Sequence, residues 1–152
     1  MKKFRFKLES VLKLRKRIEK DKQMVVALRL QKVVMTEQEI QHTLDKEGNF
    51  RIEIEKISHG SMPIQTISFF ETQIHILNKQ REFLKKRLEK EKEELLKAQA
   101  ELAQAAKNAK ILEKLKERKM EDFRIEGNKA ELKELDEVPT MTFSKKRNNA
   151  QS

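Results

Sequence analysis

The amino-acid sequence predicts an all-α protein built as an antiparallel two-helix coiled-coil hairpin. Of its 152 residues, 39% are charged and 5% are aromatic, and the chain has three glycines and two prolines. Such a composition, combined with a heptad repeat, is typical of long helices that pack along one stripe. Two long stretches follow this repeat, and one strong helix-breaking segment separates them.

The first helix is predicted over about residues 5–58. From Val11 onwards, apolar residues alternate at intervals of three and four, which is the spacing of one helix face. Six of the first eight positions are apolar: Val11, Leu14, Ile18, Asp21, Val25, Leu28, Lys32 and Met35. The phase then slips and resumes through Ile40, Leu44, Phe50, Ile54 and Ile57. Such a slip changes the winding of a coiled coil locally without ending it.

The turn between the helices is predicted over residues 59–66. Gly60 suits the left-handed backbone position that follows a helix. Pro63 cannot continue the first helix but can begin the next one. A short connection of this kind joins two helices that run antiparallel.

The second helix is predicted over about residues 67–136. It carries the longer of the two apolar heptad stripes, each of which is here called the seam of its helix. Twelve of its fourteen seam positions are apolar, so the stripe needs a partner helix. These positions are Ile67, Phe70, Ile74, Leu77, Arg81, Leu84, Leu88, Glu91, Leu95, Ala98, Leu102, Ala105, Ala109 and Leu112. Pro139 is expected to end this helix. We therefore expect one hairpin domain over residues 1–138 and a disordered polar tail over residues 139–152.

The first helix, read backwards, supplies a partner for this seam. Residues that face each other across an antiparallel hairpin have position numbers with a constant sum, and a sum of 123, becoming 124 near the turn, joins apolar positions to apolar ones. The same sums place Glu91 opposite Lys32 as a register-fixing ion pair, and Arg81 opposite Thr43 with its charge turned to solvent. An intermolecular coiled coil would satisfy part of the same pattern.

The net charge of +10 is concentrated at the two ends of the chain. Residues 1–32 hold twelve basic and three acidic side chains, a net charge of +9, and residues 145–147 add three more basic side chains. A basic segment attracts phosphate, so nucleic-acid binding is one alternative. No platform of stacking aromatic residues accompanies this charge. Nucleic acid is therefore not the expected partner, and an anionic protein surface fits at least as well.

No chemistry-bearing motif is present in the sequence. The chain has no cysteine and no phosphate-binding glycine loop, and its three histidines, His42, His59 and His75, lack metal-ligand spacing. We therefore expect no catalytic residue, no cofactor and no metal. No apolar window reaches the roughly 18 residues of a membrane span, and no signal-peptide apolar region follows the basic N-terminus. The sequence predicts a soluble cytoplasmic protein.

One apolar row lies off the seam of the second helix. Phe69, Ile76 and Phe83 follow each other at intervals of seven residues. They either widen the buried stripe, which is the simpler interpretation, or form an exposed strip of the kind that docks another protein.

Both ends of the chain carry distinctive sequence motifs. The opening segment, residues 4–15, reads FRFKLESVLKLR, and two later segments read LEKLKERK at 112–119 and ELKELDE at 131–137. The first motif resembles the N-terminus, and the later two resemble the C-terminal segment, of the FliJ family of flagellar export proteins. This resemblance, in length, layout and both end motifs, covers nearly the whole chain.

The resemblance implies a non-enzymatic component of the flagellar type III export apparatus, shaped like the central stalk of rotary ATPases. In this family the paired ends are thought to enter the export ATPase ring and promote its assembly. Other partners implied are the membrane export gate protein and export chaperones. It further implies a role in flagellum biogenesis and chemotaxis, a monomer when isolated, and attachment through partners to the inner face of the membrane at the flagellar base.

Two sets of contact residues are carried over from the family. The ATPase-binding set is Phe4, Phe6, Leu12, Arg15, Arg17, Leu115, Arg118, Phe123 and Arg124. The gate-binding set is Leu44, Phe70, Ile74 and Leu77. Relatives often place tyrosine near the turn, where this chain has phenylalanine. The alternatives are the stalk protein of a virulence-type III secretion system, a basic coiled-coil nucleic-acid binder, and a generic dimeric scaffold.

Overall fold

The computed structural model describes the backbone of residues 2–60 and 63–150, and the side chains within these ranges apart from residue 58 and residues 138–150. It contains two long helices, α1 (Glu9–Ser58) and α2 (Ile64–Ala150). The helices pack against each other as an all-α hairpin, and the described residues form no strand. The predicted fold class is confirmed.

Helix α1 begins at Glu9, four residues later than the sequence predicts. The Glu9 amide donates to the carbonyl of Phe6 at 3.2 Å, and the Leu12 amide donates to the carbonyl of Leu8 at 2.9 Å. A carboxylate in the first turn is favourable because the helix dipole is positive at this end. The basic residues 2–7 therefore precede the helix instead of forming its first turn.

The turn is shorter than predicted because α2 begins at Ile64, directly after Pro63. Proline fixes φ near the helical value, which suits the first turn of a helix. The amide of Gly60 donates to the carbonyl of Ile57 at 3.0 Å. No described glycine has a positive φ, so the left-handed position predicted at Gly60 is wrong. Positions 61 and 62 of the predicted turn lie outside the described residues.

The structure also differs from the sequence prediction at the far end of α2. The helix continues to Ala150, past the end expected near residue 136, and Pro139 lies within it. The proline removes one backbone hydrogen bond and opposes the helix locally. No glycine or second proline follows it, so no further breaker ends the helix there. Residues 151 and 152 of the predicted tail lie outside the described residues.

The contacts divide the chain into two compact units, Ile18–Ala105 and Met1–Arg17 together with Ala106–Ser152. The first unit, here called the turn unit, contains the connection between the helices. The second, here called the terminal unit, contains the N-terminal segment and the later part of α2.

The seam of α2 is confirmed position by position. All fourteen predicted residues, from Ile67 to Leu112, are buried or half-buried. In the turn unit, Leu84 and Ala98 are among the most buried of them, at 4% and 6% exposure. In the terminal unit, Ala109 is 1% exposed. The long apolar stripe therefore does lie against a partner helix.

The predicted seam of α1 is wrong by one residue over the first part of the turn unit. Val25, Leu28 and Met35 are 39%, 61% and 52% exposed, and Leu44 is exposed as well. The expected phase slip is absent, because one unbroken heptad is buried or half-buried along the helix. Its members are Glu19, Lys22, Val26, Arg29, Val33, Thr36, Ile40, Thr43, Glu47, Phe50, Ile54 and Ile57. An uninterrupted helix keeps one heptad phase, so the apolar pattern near the turn determines which face points inward farther along.

Candidate docking sites

In the terminal unit, the N-terminal segment lies against α2. The rings of Phe4 and Phe123 are 5.7 Å apart at an angle of 53°, a tilted geometry that aromatic pairs favour. A cleft of about 720 Å³ opens beside this contact. This cleft, here called the N-terminal cleft, is lined by residues 2–8 and by Leu115, Lys119, Asp122, Phe123 and Glu126.

Several charged residues of the terminal unit form ion pairs. Lys116 lies 2.9 Å from the carboxylate of Glu9, and this ion pair lowers the pKa of the Glu9 carboxyl. Lys16 lies 3.2 Å from Glu113. The guanidinium of Arg124 donates to both oxygens of the Glu121 carboxylate, at 3.1 Å and 2.5 Å. This pairing lowers the pKa of Glu121 and raises that of Arg124.

The structure brings together part of the predicted ATPase-binding set. Phe4, Phe6, Leu115 and Phe123 all line the N-terminal cleft. Leu12 is 3% exposed, so it packs in the hairpin interior and is not available to a partner. Arg15, Arg17 and Arg118 are exposed, and within the described residues they make no ion pair.

Three cleft residues on α2 were missing from the predicted set. Lys119, Asp122 and Glu126 face the N-terminal segment together with Leu115. Their spacing of three and four from Leu115 places them on one helical face. The sequence shows this spacing. It does not show that the face lies against the N-terminal segment, because residues 2–6 are not helical and have no heptad repeat to align with α2.

The predicted gate-binding set lies largely inside the turn unit. Ile74 and Leu77 are each 8% exposed, so they are part of the interface between the helices. The half-buried ring of Phe70 lies 5.6 Å from that of Phe50. Only Leu44, at 42% exposure, is open to solvent. Phe70, Ile74 and Leu77 are seam positions of α2, so they face α1 and are not available on the outer surface.

The row formed by Phe69, Ile76 and Phe83 is exposed. These side chains are 57%, 51% and 67% accessible, so the row does not widen the buried stripe. The ring of Phe69 lies 5.7 Å from that of Phe70, in an edge-on arrangement. Helical residues spaced by seven lie on one face, so the three form a single apolar row, here called the outer row.

A polar cluster interrupts the apolar seam of the turn unit. Arg81 donates from Nε to the hydroxyl of Thr43 at 3.3 Å and from Nη1 to the amide oxygen of Asn78 at 3.0 Å. It also forms an ion pair with Glu47, in which both side chains are nearly buried. Arg51 binds the same carboxylate at 2.9 Å, and these hydrogen bonds from Arg51 and Arg81 lower the pKa of Glu47. The prediction that Arg81 turns to solvent is wrong, because Glu47 offers it a buried anion.

A second polar cluster surrounds Glu91. The hydroxyl of Thr36, 1% exposed, donates to the Glu91 carboxylate at 2.7 Å. Nε of Arg87 lies 3.4 Å from the same carboxylate, and Nη2 of Arg87 binds Glu39 at 2.8 Å. The predicted pair with Lys32 is wrong, since Lys32 is exposed on a neighbouring face of α1.

These two polar clusters can hold the helices in register. Among the described residues, no three His, Cys, Asp or Glu side chains come together as metal ligands. Within the same residues, neither helix has a stretch long and apolar enough to cross a membrane.

Comparison with known proteins identifies the family. No curated protein and no solved structure matches the chain. The family described as Flagellar FliJ protein matches residues 4–148 of the 152 residues. This match covers all of α1, α2 as far as residue 148, and residues 4–8 of the segment that lines the cleft. The chain therefore belongs to the flagellar FliJ family, whose members are associated with flagellar export.

Proposed function

We propose that the protein is a non-enzymatic stalk of the flagellar type III export apparatus, which binds the export ATPase ring and promotes its assembly. The observation that carries this proposal is the set of free basic residues and aromatic rings in the terminal unit. The packing of the two helices does not need Arg15, Arg17 or Arg118, all of which are exposed and unpaired in the described structure. Membership of the flagellar FliJ family supports the same assignment.

The terminal unit is the ATPase-facing surface in this proposal. Guanidinium groups bind carboxylates through two parallel hydrogen bonds, so exposed arginines suit an acidic ring lumen. In the same unit, the N-terminal cleft offers Phe6 and Leu115 as apolar contacts. Leu12 acts indirectly here, by holding the helices together.

A second surface couples the ATPase to the membrane export gate. Ile74 and Leu77 are buried, so the gate cannot reach them while the hairpin is closed. We assign the contact instead to the outer row, with Leu44 as the exposed member of the predicted set. An exposed apolar row flanked by polar residues is typical of a docking surface. Association with the membrane then occurs through the gate, and export chaperones are further partners.

Affinity capture from a lysate of flagellated cells tests this proposal. The tagged wild-type chain is expected to retain the export ATPase and the gate protein. Arg15→Glu with Arg17→Glu should lose the ATPase and keep the gate protein. Phe69→Ser with Phe83→Ser should lose the gate protein and keep the ATPase. Recovery of neither protein by the wild-type chain would contradict the proposal, and equal losses in both variants would contradict the two assigned surfaces.

A further inference from the structure

Helix α1 carries two parallel stripes between residues 18 and 36, and the structure buries the less apolar one. The inner stripe has two apolar members among Glu19, Lys22, Val26, Arg29, Val33 and Thr36. The outer stripe has four among Ile18, Asp21, Val25, Leu28, Lys32 and Met35. Leu28 and Met35 are 61% and 52% exposed. Burial of apolar area alone would favour the opposite choice.

The part of α1 nearest the turn explains the choice. Between Ile40 and Ile57 the apolar residues follow a heptad that continues the inner stripe without interruption. The ring contact between Phe50 and Phe70 and the bond between Arg81 and Thr43 hold this part against α2. A regular helix must then turn the inner stripe inward. The outer stripe could turn inward only with one additional residue before Ile40.

Helix α2 can accept either stripe without changing its own seam. The inner stripe aligns with that seam at a constant position sum of 124, which pairs Thr36 with Leu88. The outer stripe aligns with the same seam at a sum of 123, which pairs Met35 with Leu88 and Leu28 with Leu95. Four of its six layers would join two apolar residues.

We propose that residues 18–36 of α1 exchange between these two registers on α2, while the part near the turn stays fixed. The exchange is a rotation of about 100° with an advance of about 1.5 Å, the step of one helical residue. A π-bulge between Thr36 and Ile40 accommodates the additional residue, because such a bulge inserts one residue into an otherwise continuous helix.

The two registers are balanced by different interactions. The register in the structure keeps the Thr36–Glu91 hydrogen bond and the ion pairs Arg29–Glu94, at 2.8 Å, and Lys22–Glu101, at 2.9 Å. The alternative gives up the buried Thr36–Glu91 hydrogen bond and the two exposed ion pairs, which contribute little individually. In exchange it buries Leu28 and Met35. The exchange would move Arg29 and Lys22 outward, so it would change the surface that a partner meets.

Disulfide trapping tests the exchange, because the natural chain has no cysteine. Thr36→Cys with Leu88→Cys reports the register in the structure. Met35→Cys with Leu88→Cys reports the alternative, and Val34→Cys with Leu88→Cys measures background cross-linking from an exposed position. In a glutathione redox buffer, we expect the Met35 pair to cross-link several-fold more than the Val34 pair. Equal yields from these two pairs would overturn the proposal.

A further variant separates register exchange from general loosening of the hairpin. Leu28→Lys weakens only the outer stripe, because Leu28 is exposed in the present register. It should reduce the yield of the Met35 pair several-fold and leave the yield of the Thr36 pair unchanged. An unchanged Met35 yield, or a parallel fall in both yields, would also overturn the proposal. High helical content by circular dichroism and a high Thr36 yield serve as the folding control.

Discussion

The guanidinium of Arg81 donates a hydrogen bond from Nε to the hydroxyl of Thr43, 3.3 Å away, across the interface between α1 and α2. Thr43 is 4% exposed, and the side chain of Arg81 is 13% exposed. The same guanidinium pairs with Glu47, one helical turn along α1 from Thr43. A buried polar layer opposes sliding of the helices, because a shift would leave its members without partners.

Replacement of Arg81 by methionine should destabilise the hairpin. The change keeps an unbranched side chain but leaves Thr43 without its cross-helix donor and Glu47 with Arg51 as its remaining cation. Loss of one partner from a buried polar pair costs about 1–3 kcal/mol. The free energy of unfolding, measured by urea titration at neutral pH, should fall by this amount.

Two matched variants check that reasoning. Arg51→Ala removes the exposed cation of the same cluster, whose side chain is 64% accessible, and should cost less than about 1 kcal/mol. Arg81→Met with Glu47→Met removes both buried charges and should recover most of the stability lost by Arg81→Met. Equal stability of Arg81→Met and the wild-type chain would show that the buried pair does not hold the interface.

Acid should weaken the folded chain partly through Glu47. Its pKa in the folded state lies below the ordinary value of 4.5, because Arg51 and Arg81 donate hydrogen bonds to its carboxylate. The stability it contributes is therefore present above pH 4.5 and is lost as the pH falls through the lower, folded-state pKa. Glu47→Gln should be less stable at neutral pH and lose less stability on acidification. Parallel pH profiles of unfolding free energy for the two chains would contradict this assignment.

Replacement of a buried leucine and of an exposed leucine by alanine should change the free energy of unfolding by very different amounts. Leu84 is 4% exposed, so Leu84→Ala leaves a cavity in the interface and should cost about 2–5 kcal/mol. Leu28 is 61% exposed, and Leu28→Ala should change the free energy of unfolding by only about 0.5 kcal/mol. Urea titration measures both. Similar losses for the two variants would place Leu28 in the seam and contradict the register of the structure.

The different outcomes for the two seams show how far the sequence could predict the fold. The α2 seam is almost wholly apolar, so its period alone identifies its face. The α1 seam has two competing stripes, and the more apolar stripe is the wrong one between Val25 and Met35. The apolar residues between Ile40 and Ile57, continued back along an uninterrupted helix, select the less apolar stripe, and the partners of Thr43 and Thr36 on α2 support that choice. Local periodicity contains no information about those partners.

The sequence predicted the exposure and contacts of some candidate site residues and not of others. Arg17 lies off both stripes, so its exposure follows from helical geometry. Arg15 lies three residues after Leu12 and four before Glu19, on the continuation of the buried heptad, so the repeat alone did not predict its exposure. The contact of Phe4 with Phe123 involves residues outside the first helix, and no periodic pattern relates them. The sequence analysis assigned Ile74 and Leu77 both to the seam and to contact with a partner protein. In the structure both are buried in the seam.

The ring contact in the terminal unit should be measurable as a coupling energy. Phe4→Ala and Phe123→Ala each remove one ring of the pair, whose centroids are 5.7 Å apart. The double variant should be less destabilised than the sum of the single variants, by about 0.5–1.5 kcal/mol. Phe4→Ala should also expose residues 2–8 to faster proteolysis. Additive effects would show that the rings do not stabilise each other.

The most direct test of the proposed function is the activity of the purified export ATPase with this protein added. Wild-type chain is expected to raise both ATP hydrolysis and the fraction of assembled rings. Arg15→Glu with Arg17→Glu should weaken both effects severalfold and leave helical content unchanged. The control, Lys85→Glu with Lys86→Glu, makes the same charge change at exposed positions of the turn unit and should stimulate like the wild type. Full stimulation by the arginine variant, or none by the wild-type chain, would contradict the account.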